Sequence, residues 1–269
     1  MIDLHTHSAC SDGQLSPTDL ISFAASQGVS VLALTDHDTV SGLPDAEKKA
    51  QELHMTFVPG VELNIEWPTG EFHLLGLGLK HISSSLQDVL SHLQLERQKR
   101  NQVMVSKMQE AGMDVSLEEL LSIYKTECLG RPHFADFMVK KGIVKKQQQA
   151  FDLYLAKSRP IYVPRVGASL DEAIVSIKDS GGVPVLAHPL SLYLSWGKIE
   201  PVLQELYERG IEGIEAWHPG VRVVEAERLE TIGRRIGFFI TGGSDFHGEN
   251  VRMDRKIGRT SGMTKIDEK

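Results

Sequence analysis

Histidine, aspartate and glutamate recur in this chain where short apolar runs break into loops. His5, His7 and Asp12 follow residues 2–4, Asp36 and His37 follow residues 29–34, and Glu62 follows residues 56–61. His73 lies inside the alternating run 71–79, and His188, His218 and the pair Asp245 and His247 follow later apolar runs. Of the 11 histidines, seven (His5, His7, His37, His73, His188, His218 and His247) occupy such places; His54, His81, His92 and His133 lie on helical stretches or beyond about residue 81. In His5-Thr6-His7 the two imidazoles fall on one side of an extended chain, because strand side chains alternate with period two. Imidazole and carboxylate donors together suit Mn, Fe or Zn better than Mg or Ca. One histidine at a strand end is ordinary. Seven of them beside Asp12, Asp36, Glu62 and Asp245 make a candidate polynuclear metal site.

Side chains so distant in sequence meet only if a repeating scaffold delivers their loops to one place. Ser16-Pro17 supplies an N-cap and a proline at the first helical position, predicting a helix that ends near Gly28. A second helix should run on from the 35–39 loop to about His54, and 71–79, interrupted by glycines, reads as an edge or hairpin strand. Beyond His81 the texture changes. Leu86, Val89, Leu90 and Leu93 stand at i, i+3, i+4 and i+7, predicting an amphipathic helix that reaches Gly112. Shorter helical stretches at 117–125 and 133–141 and a Lys- and Gln-rich segment follow, with no strand pattern. Helix and strand alternate again from 169 to 241. The expected layout is a discontinuous barrel-type domain, 1–80 and 158–269, interrupted by a helical insertion domain, 81–157. Successive strand–helix units favour a parallel sheet, either open and doubly wound or closed, and both put active sites at the C-terminal ends of strands.

The 269 residues, 41% hydrophobic and 24% charged, exclude a disordered polymer and a stapled miniprotein. Two cysteines, Cys10 and Cys128, cannot make a disulfide framework, so a reducing compartment is the default. With no basic-then-apolar leader and no apolar run of about 18 residues, the expectation is a soluble, cytoplasmic protein without membrane contact. The formal charge of −7 argues against a nucleic-acid-coating surface, although three divalent cations would bring it to −1.

In chain order, Asp3-Leu4-His5-Thr6-His7-Ser8, Thr35-Asp36-His37-Asp38, Gly60-Val61-Glu62, Ala187-His188-Pro189 and Ser244-Asp245-Phe246-His247 resemble the signature of the PHP (polymerase and histidinol phosphatase) superfamily. The resemblance runs from Ile2 to about Gly248. It implies an α/β fold, a distorted seven-stranded (β/α) barrel with a small helical insertion domain, and a trinuclear site. Carried over residue by residue, one metal would take His5, His7, Glu62 and Asp245. Glu62 would bridge to a second held by His73 and His188, and Asp12, His37 and His247 would hold the third. Three divalent ions per chain are implied, manganese first, with iron or zinc as substitutes. Every ligand position is filled, which speaks against a degenerate, non-catalytic module.

Within the superfamily, Gly130-Arg131-Pro132-His133 and Gly213-Ile214-Glu215-Ala216-Trp217-His218-Pro219 look like the stand-alone phosphoesterases that hydrolyse nucleoside 3',5'-bisphosphates and trim short RNA from the 5' end. The implied reaction is hydrolysis of a phosphate monoester by a hydroxide bridging two metals that share Glu62, with 5'-to-3' trimming of short RNA as a related activity. Glu62, Asp245 and His218 are the catalytic candidates; His218, left over from the ligand set, would bind phosphate or protonate the leaving group. Arg131 and His133 would read the substrate with His218, Arg131 by a bidentate fork on a second phosphate. Alternatives are a histidinol-phosphate phosphatase, a non-enzymatic polymerase-associated PHP module, and an amidohydrolase, which would usually want a bridging lysine at a strand end. The expected partner is a small phosphorylated nucleotide or a short RNA 5' end, with no obligate protein partner. Arg97 and Arg100 on the long helix, and Lys140, Lys141, Lys145 and Lys146, read as solvated surface. Cys10 reads as a small filler beside the site.

Overall fold

Short buried-type runs form the strands, and every strand that the pattern predicts is present. In the computed structural model, which describes residues 1–126 and 128–267, they are β1 (Ile2–Asp3), β2 (Val31–Leu34), β3 (Thr56–Ile65), β4 (Phe72–Leu77), β5 (Val183–Leu186), β6 (Gly213–Trp217) and β7 (Phe239–Gly242). They lie in one sheet in chain order. All neighbours pair in parallel except β4, which is antiparallel to both β3 and β5. Just beyond their ends the first and last strands meet: the Leu4 N–H donates to Gly242 O (3.2 Å), His7 N–H to Phe246 O (2.9 Å) and Asp245 N–H to His5 O (2.9 Å). The sheet thereby curls into a nearly closed, distorted barrel, which decides between the open and closed alternatives.

Two details of this sheet differ from expectation. Of the two alternatives for 71–79, the hairpin holds and the edge does not: the strand is the hairpin partner of β3, but β5 covers its other side and all six of its residues are buried. Its glycine interruption is a packing device, since a Cβ on Gly76 would stand 2.9 Å from Ile177 Cγ1. The other is β3, which runs past residue 61 to Ile65, pairing Asn64 with His73, so Glu62 lies inside a strand.

Helices α1 (Pro17–Ser26) and α2 (Leu43–Glu52) pack beside the first strands, and Ser16 Oγ caps α1 by accepting the Asp19 N–H at 3.1 Å. The long α3 (Ser84–Glu110), then α4 (Leu117–Tyr124), α5 (Arg131–Lys140) and α6 (Gln147–Ala150), which ends in a π-helical turn at Phe151–Leu155, form the strandless middle of the chain. Helices α7 (Leu170–Asp179), α8 (Trp196–Glu208) and α9 (Val223–Ile236) return to the barrel exterior. Leu86, Leu90 and Leu93 of α3 join the barrel core with Leu63, Leu74, Leu186, Ile214 and Ala216. Further along the same helix, Met104, Val105 and Met108 enter a separate core with Leu120, Phe134, Phe137, Leu155 and Ile161. The helix is therefore a beam fixed in two cores, and each large side chain in them contributes about 2–5 kcal/mol against truncation to alanine.

Between the two apolar stretches of α3 lie Arg97, Arg100 and Asn101, all buried. Arg97 and Arg100 are thus not solvated surface. Arg97 pairs with Asp38, and Arg100 Nε donates to Val163 O at 3.1 Å, so both charges are drawn inward by partners on other segments. Lys140, Lys141, Lys145 and Lys146 are exposed as expected. No described helix is long and apolar enough to cross a membrane.

Candidate metal centre

The parallel strands end on one rim of the barrel, and the antiparallel β4 begins there, which is why His73, its second residue, joins side chains that follow the ends of its neighbours. Ligand atoms of His7, Asp12, His37 and His247 lie within 4.8 Å of one another; so do those of His5, His7 and Asp245, of His5, Glu62 and His188, and of His37, Glu62 and His73. These overlapping groups use the nine residues of the expected ligand set and no other described residue. They do not divide into three separate sets, since His5, His7, His37 and Glu62 each fall in two groups.

Outer partners orient several of the imidazoles. His5 Nδ1 lies 3.0 Å from Glu215 Oε1, and a carboxylate can only accept, so Nδ1 carries the proton and Nε2 faces inward. His247 Nδ1 donates to Asp245 O at 2.9 Å, turning its Nε2 toward Asp12 Oδ1 at 3.2 Å. His188 Nδ1 meets Ser191 Oγ at 2.9 Å, and that hydroxyl donates to Glu71 O, so His188 Nε2 points at Glu62 Oε1, 3.2 Å away. Glu62 collects the rest: His37 Nδ1 and His73 Nδ1 stand 2.9 Å from its two oxygens. Gly243 makes room for this packing, because a Cβ there would lie 2.2 Å from His5 Cβ and 2.6 Å from Glu215 Oε1.

Donor type and unpaired atoms both fit a divalent-metal cluster. Buried polar atoms are ordinarily hydrogen-bonded, yet His37 Nδ1, His73 Nδ1, Glu62 Oε2 and Asp12 Oδ1 have no aligned partner. His5 Nε2 and His7 Nε2 face each other at 3.1 Å. Such a nest of acceptors needs positive charge within it, from protons or from metal ions. Burial alone would raise the carboxyls of Asp12, Glu62 and Asp245, but the histidines around them hold all three well below the usual carboxylate range. Burial, then the neighbouring His247, pushes His7 down to about 3, leaving it a neutral donor.

A cavity of about 460 Å³ opens over the cluster. Asp12, His37, Glu62, His73, His188, Asp245 and His247 line it, while His5 and His7 are fully buried beneath. His218 lines it too: its Nδ1 accepts the Gly220 N–H (3.0 Å), so Nε2 carries the proton, 3.4 Å from Asp245 Oδ2. Burial lowers the pKa of His218, against the opposing pull of Asp245 and Glu215. Arg131 reaches the same cavity and pairs with Glu71 at 2.8 Å. His133 does not. Its Nδ1 caps α5 by accepting the Gly130 N–H at 2.9 Å, and it lines an adjoining cavity of about 340 Å³ with Asp12 and Tyr124.

Asp36 separates from the other strand-end carboxylates. It accepts from Ser8 N–H (2.8 Å), Ser8 Oγ–H (2.6 Å) and Ser11 Oγ–H (2.5 Å), and so folds the loop that carries His7 and Asp12. Asp3 has a similar internal role, accepting the Ser244 and Gly258 N–H groups, and burial pushes its carboxyl up to about 6. Several further residues at the site were given no role from the sequence. Glu215 binds both His5 and, at 2.9 Å, the His188 N–H; it stands in the segment 213–219 that carries the subfamily resemblance, where a carboxylate inside an apolar strand is its own local signal. Arg165, Arg252 and Arg255 also line the cavity but come from loops without periodicity. No lysine lines it among the described residues, so the bridging lysine of the amidohydrolase alternative has no counterpart.

The signature of the PHP domain family matches residues 3–157. A 3',5'-nucleoside bisphosphate phosphatase of Chromobacterium violaceum is 32% identical over 266 residues, spanning 98% of this chain and 93% of that protein. A 5'-3' exoribonuclease of Haemophilus influenzae is 31% identical over 245 residues, 91% of this chain and 89% of that protein. Among solved structures, a Bifidobacterium adolescentis protein assigned by inference as a metal-dependent phosphoesterase has a TM-score of 0.86 at 28% identity, covering 97% of this chain and 91% of that one.

Proposed function

The chain belongs to the PHP domain family and is a metal-dependent phosphoesterase, and we propose on that premise that it removes a phosphate from nucleoside 3',5'-bisphosphates at a trinuclear centre. Short RNA 5' ends are its second substrate class. The observation that supports this most is the company the nine metal-type residues keep: Arg131, Arg165, Arg252 and Arg255 line the same cavity. A substrate with one phosphate at the cluster leaves those guanidinium forks for a second anion. Histidinol phosphate, with one phosphate and a cationic amine, matches such a wall poorly. The curated relatives named above add weight on the side of nucleotides and RNA.

Divalent ions held by these residues, three per chain and manganese by preference, would lower the pKa of a coordinated water toward neutrality and neutralise charge developing on the phosphoryl oxygens. The residues themselves do the rest. Glu62 offers an oxygen to each side of the cluster, while Glu215, Ser191 and the Asp245 carbonyl hold His5, His188 and His247 with Nε2 inward. Asp245 offers Oδ1 toward His5 and His7. His218 presents a proton on Nε2 to a phosphoryl or leaving-group oxygen. Arg131 can exchange Glu71 for a substrate phosphate, since Glu71 is half-exposed and water can take over its carboxylate when the fork moves. A cytoplasmic setting belongs to the same reading, in keeping with two free thiols.

Phosphate release from adenosine 3',5'-bisphosphate, compared with 5'-AMP, 3'-AMP and histidinol phosphate, tests the substrate class. The bisphosphate should be preferred, and its hydrolysis should vanish on chelation and return with Mn. Preference for histidinol phosphate, or equal rates on all four, removes the bisphosphate assignment and leaves the phosphoesterase.

A further inference from the structure

The loop that carries His37 is held by the insertion. Asp38, next in sequence, has a left-handed backbone (φ 54°), a conformation that asparagine and aspartate tolerate but that needs fixing by neighbours. Contacts fix it from four directions. Its N–H donates to Glu62 O at 2.9 Å, and its Oδ1 accepts the Asn64 N–H at 3.0 Å. Its carbonyl accepts Gln94 Nε2–H at 2.9 Å, and its Oδ2 pairs with Arg97. Gln94 and Arg97 stand three residues apart on α3, on the stretch between the two apolar cores. The pair is buried, Asp38 at 2% and Arg97 at 6% exposure. Arg97 is not among the described residues that line the cavity over the cluster.

We propose that Arg97 is a positioning residue for the metal centre: by pairing with Asp38 it sets the His37 loop, so that the seating of the insertion's long helix governs the affinity of the metal position His37 serves. The proposal rests on His37 being a metal ligand. Its physical basis is that a loop residue in an uncommon backbone conformation relaxes when its partner is removed, and His37 moves with it. Glu62 is tied to the same loop twice, since its own N–H donates to Asp36 O at 3.1 Å. Arg97 therefore acts on the cluster through backbone geometry.

The test is manganese binding to the full chain by equilibrium dialysis, with melting of the chelated protein recorded beside it. His37→Ala identifies the manganese equivalent that depends on His37. If that variant keeps the wild-type complement, the ligand assignment itself fails, and the proposal falls with it. Arg97→Met should raise the Kd of the same equivalent about 10–100-fold, the usual cost of losing an outer partner of a ligand, and Arg97→Lys should recover part of it. Arg97→Met also strands a buried carboxylate and lowers the melting temperature for that reason alone. The double variant Asp38→Asn/Arg97→Met removes both charges. A positioning role predicts that it melts close to wild type yet still binds that equivalent weakly. Wild-type manganese affinity in Arg97→Met or in the double variant, with His37→Ala deficient, overturns the proposal.

Discussion

Replacing Glu215 by glutamine changes one charge and almost no shape. The side chain is 1% exposed, its Oε1 accepts from His5 Nδ1 at 3.0 Å and its Oε2 from the His188 N–H at 2.9 Å. A glutamine has one accepting oxygen, so its amide NH2 must face one of these two donors. Either a hydrogen bond to a charged acceptor is lost, worth about 1.5–3 kcal/mol, or His5 switches tautomer and puts a proton on the nitrogen that faces the cluster. At about 1.4 kcal/mol per tenfold, the first outcome corresponds to roughly a ten- to hundredfold loss of metal affinity, in line with the measured cost of removing such outer partners. The assay is phosphate release from adenosine 3',5'-bisphosphate as a function of manganese concentration. Glu215→Gln should shift half-activation upward by about 10–100-fold, with the melting of the chelated protein recorded beside it because the lost buried hydrogen bond also costs stability. Half-activation within twofold of wild type, with His5→Ala inactive, would refute the reasoning.

Two further substitutions read out other parts of the site, and one reaction reads out the packing around it. Glu62→Gln should lose metal and turnover together, since both of its oxygens face histidines of the cluster; unchanged turnover sinks its bridging role. Arg131→Ala should weaken substrates with two phosphates by about 10–100-fold, the equivalent of one charged hydrogen-bonding fork, and leave an aryl phosphate nearly unaffected. Equal losses on both would remove Arg131 from second-phosphate recognition. Burial pushes the Cys128 thiol up to about 12, so at pH 8 it is protonated and iodoacetamide should spare it in the folded chain, whereas denatured protein should be alkylated at both cysteines. Rapid alkylation of native Cys128 at pH 8 would contradict its burial.

The metal-type residues were legible because a strand-ending histidine or carboxylate leaves a local mark: an apolar run, then a donor. His73 needed the additional idea that an antiparallel strand starts where parallel neighbours end, and the choice between edge and hairpin for its strand stayed open because Gly76 serves packing against Ile177 instead of marking solvent exposure. Arg97 and Arg100 look like surface by composition. They nevertheless fall where the apolar stripe Leu86, Leu90, Leu93 continues toward Met104, and helical periodicity places them inside once Asp38 and Val163 supply partners. Glu215, Arg165, Arg252 and Arg255 had weak or no local marks, since a residue that orients a histidine from outside or lines a cavity from a loop obeys no spacing rule of its own. His133 shows the converse. It sits in a recognisable Arg-Pro-His segment, but helix geometry turns it to cap α5 and face the adjoining cavity.

The most direct measurement is diffraction from a manganese-loaded crystal of the full chain, collected at the manganese edge with phosphate present. Three anomalous peaks, each within coordinating distance of side chains from the nine-residue set and with Glu62 shared between two of them, are predicted, with the phosphate lying among them. Fewer than three peaks at saturating manganese, or peaks coordinated by other residues, would contradict the trinuclear assignment.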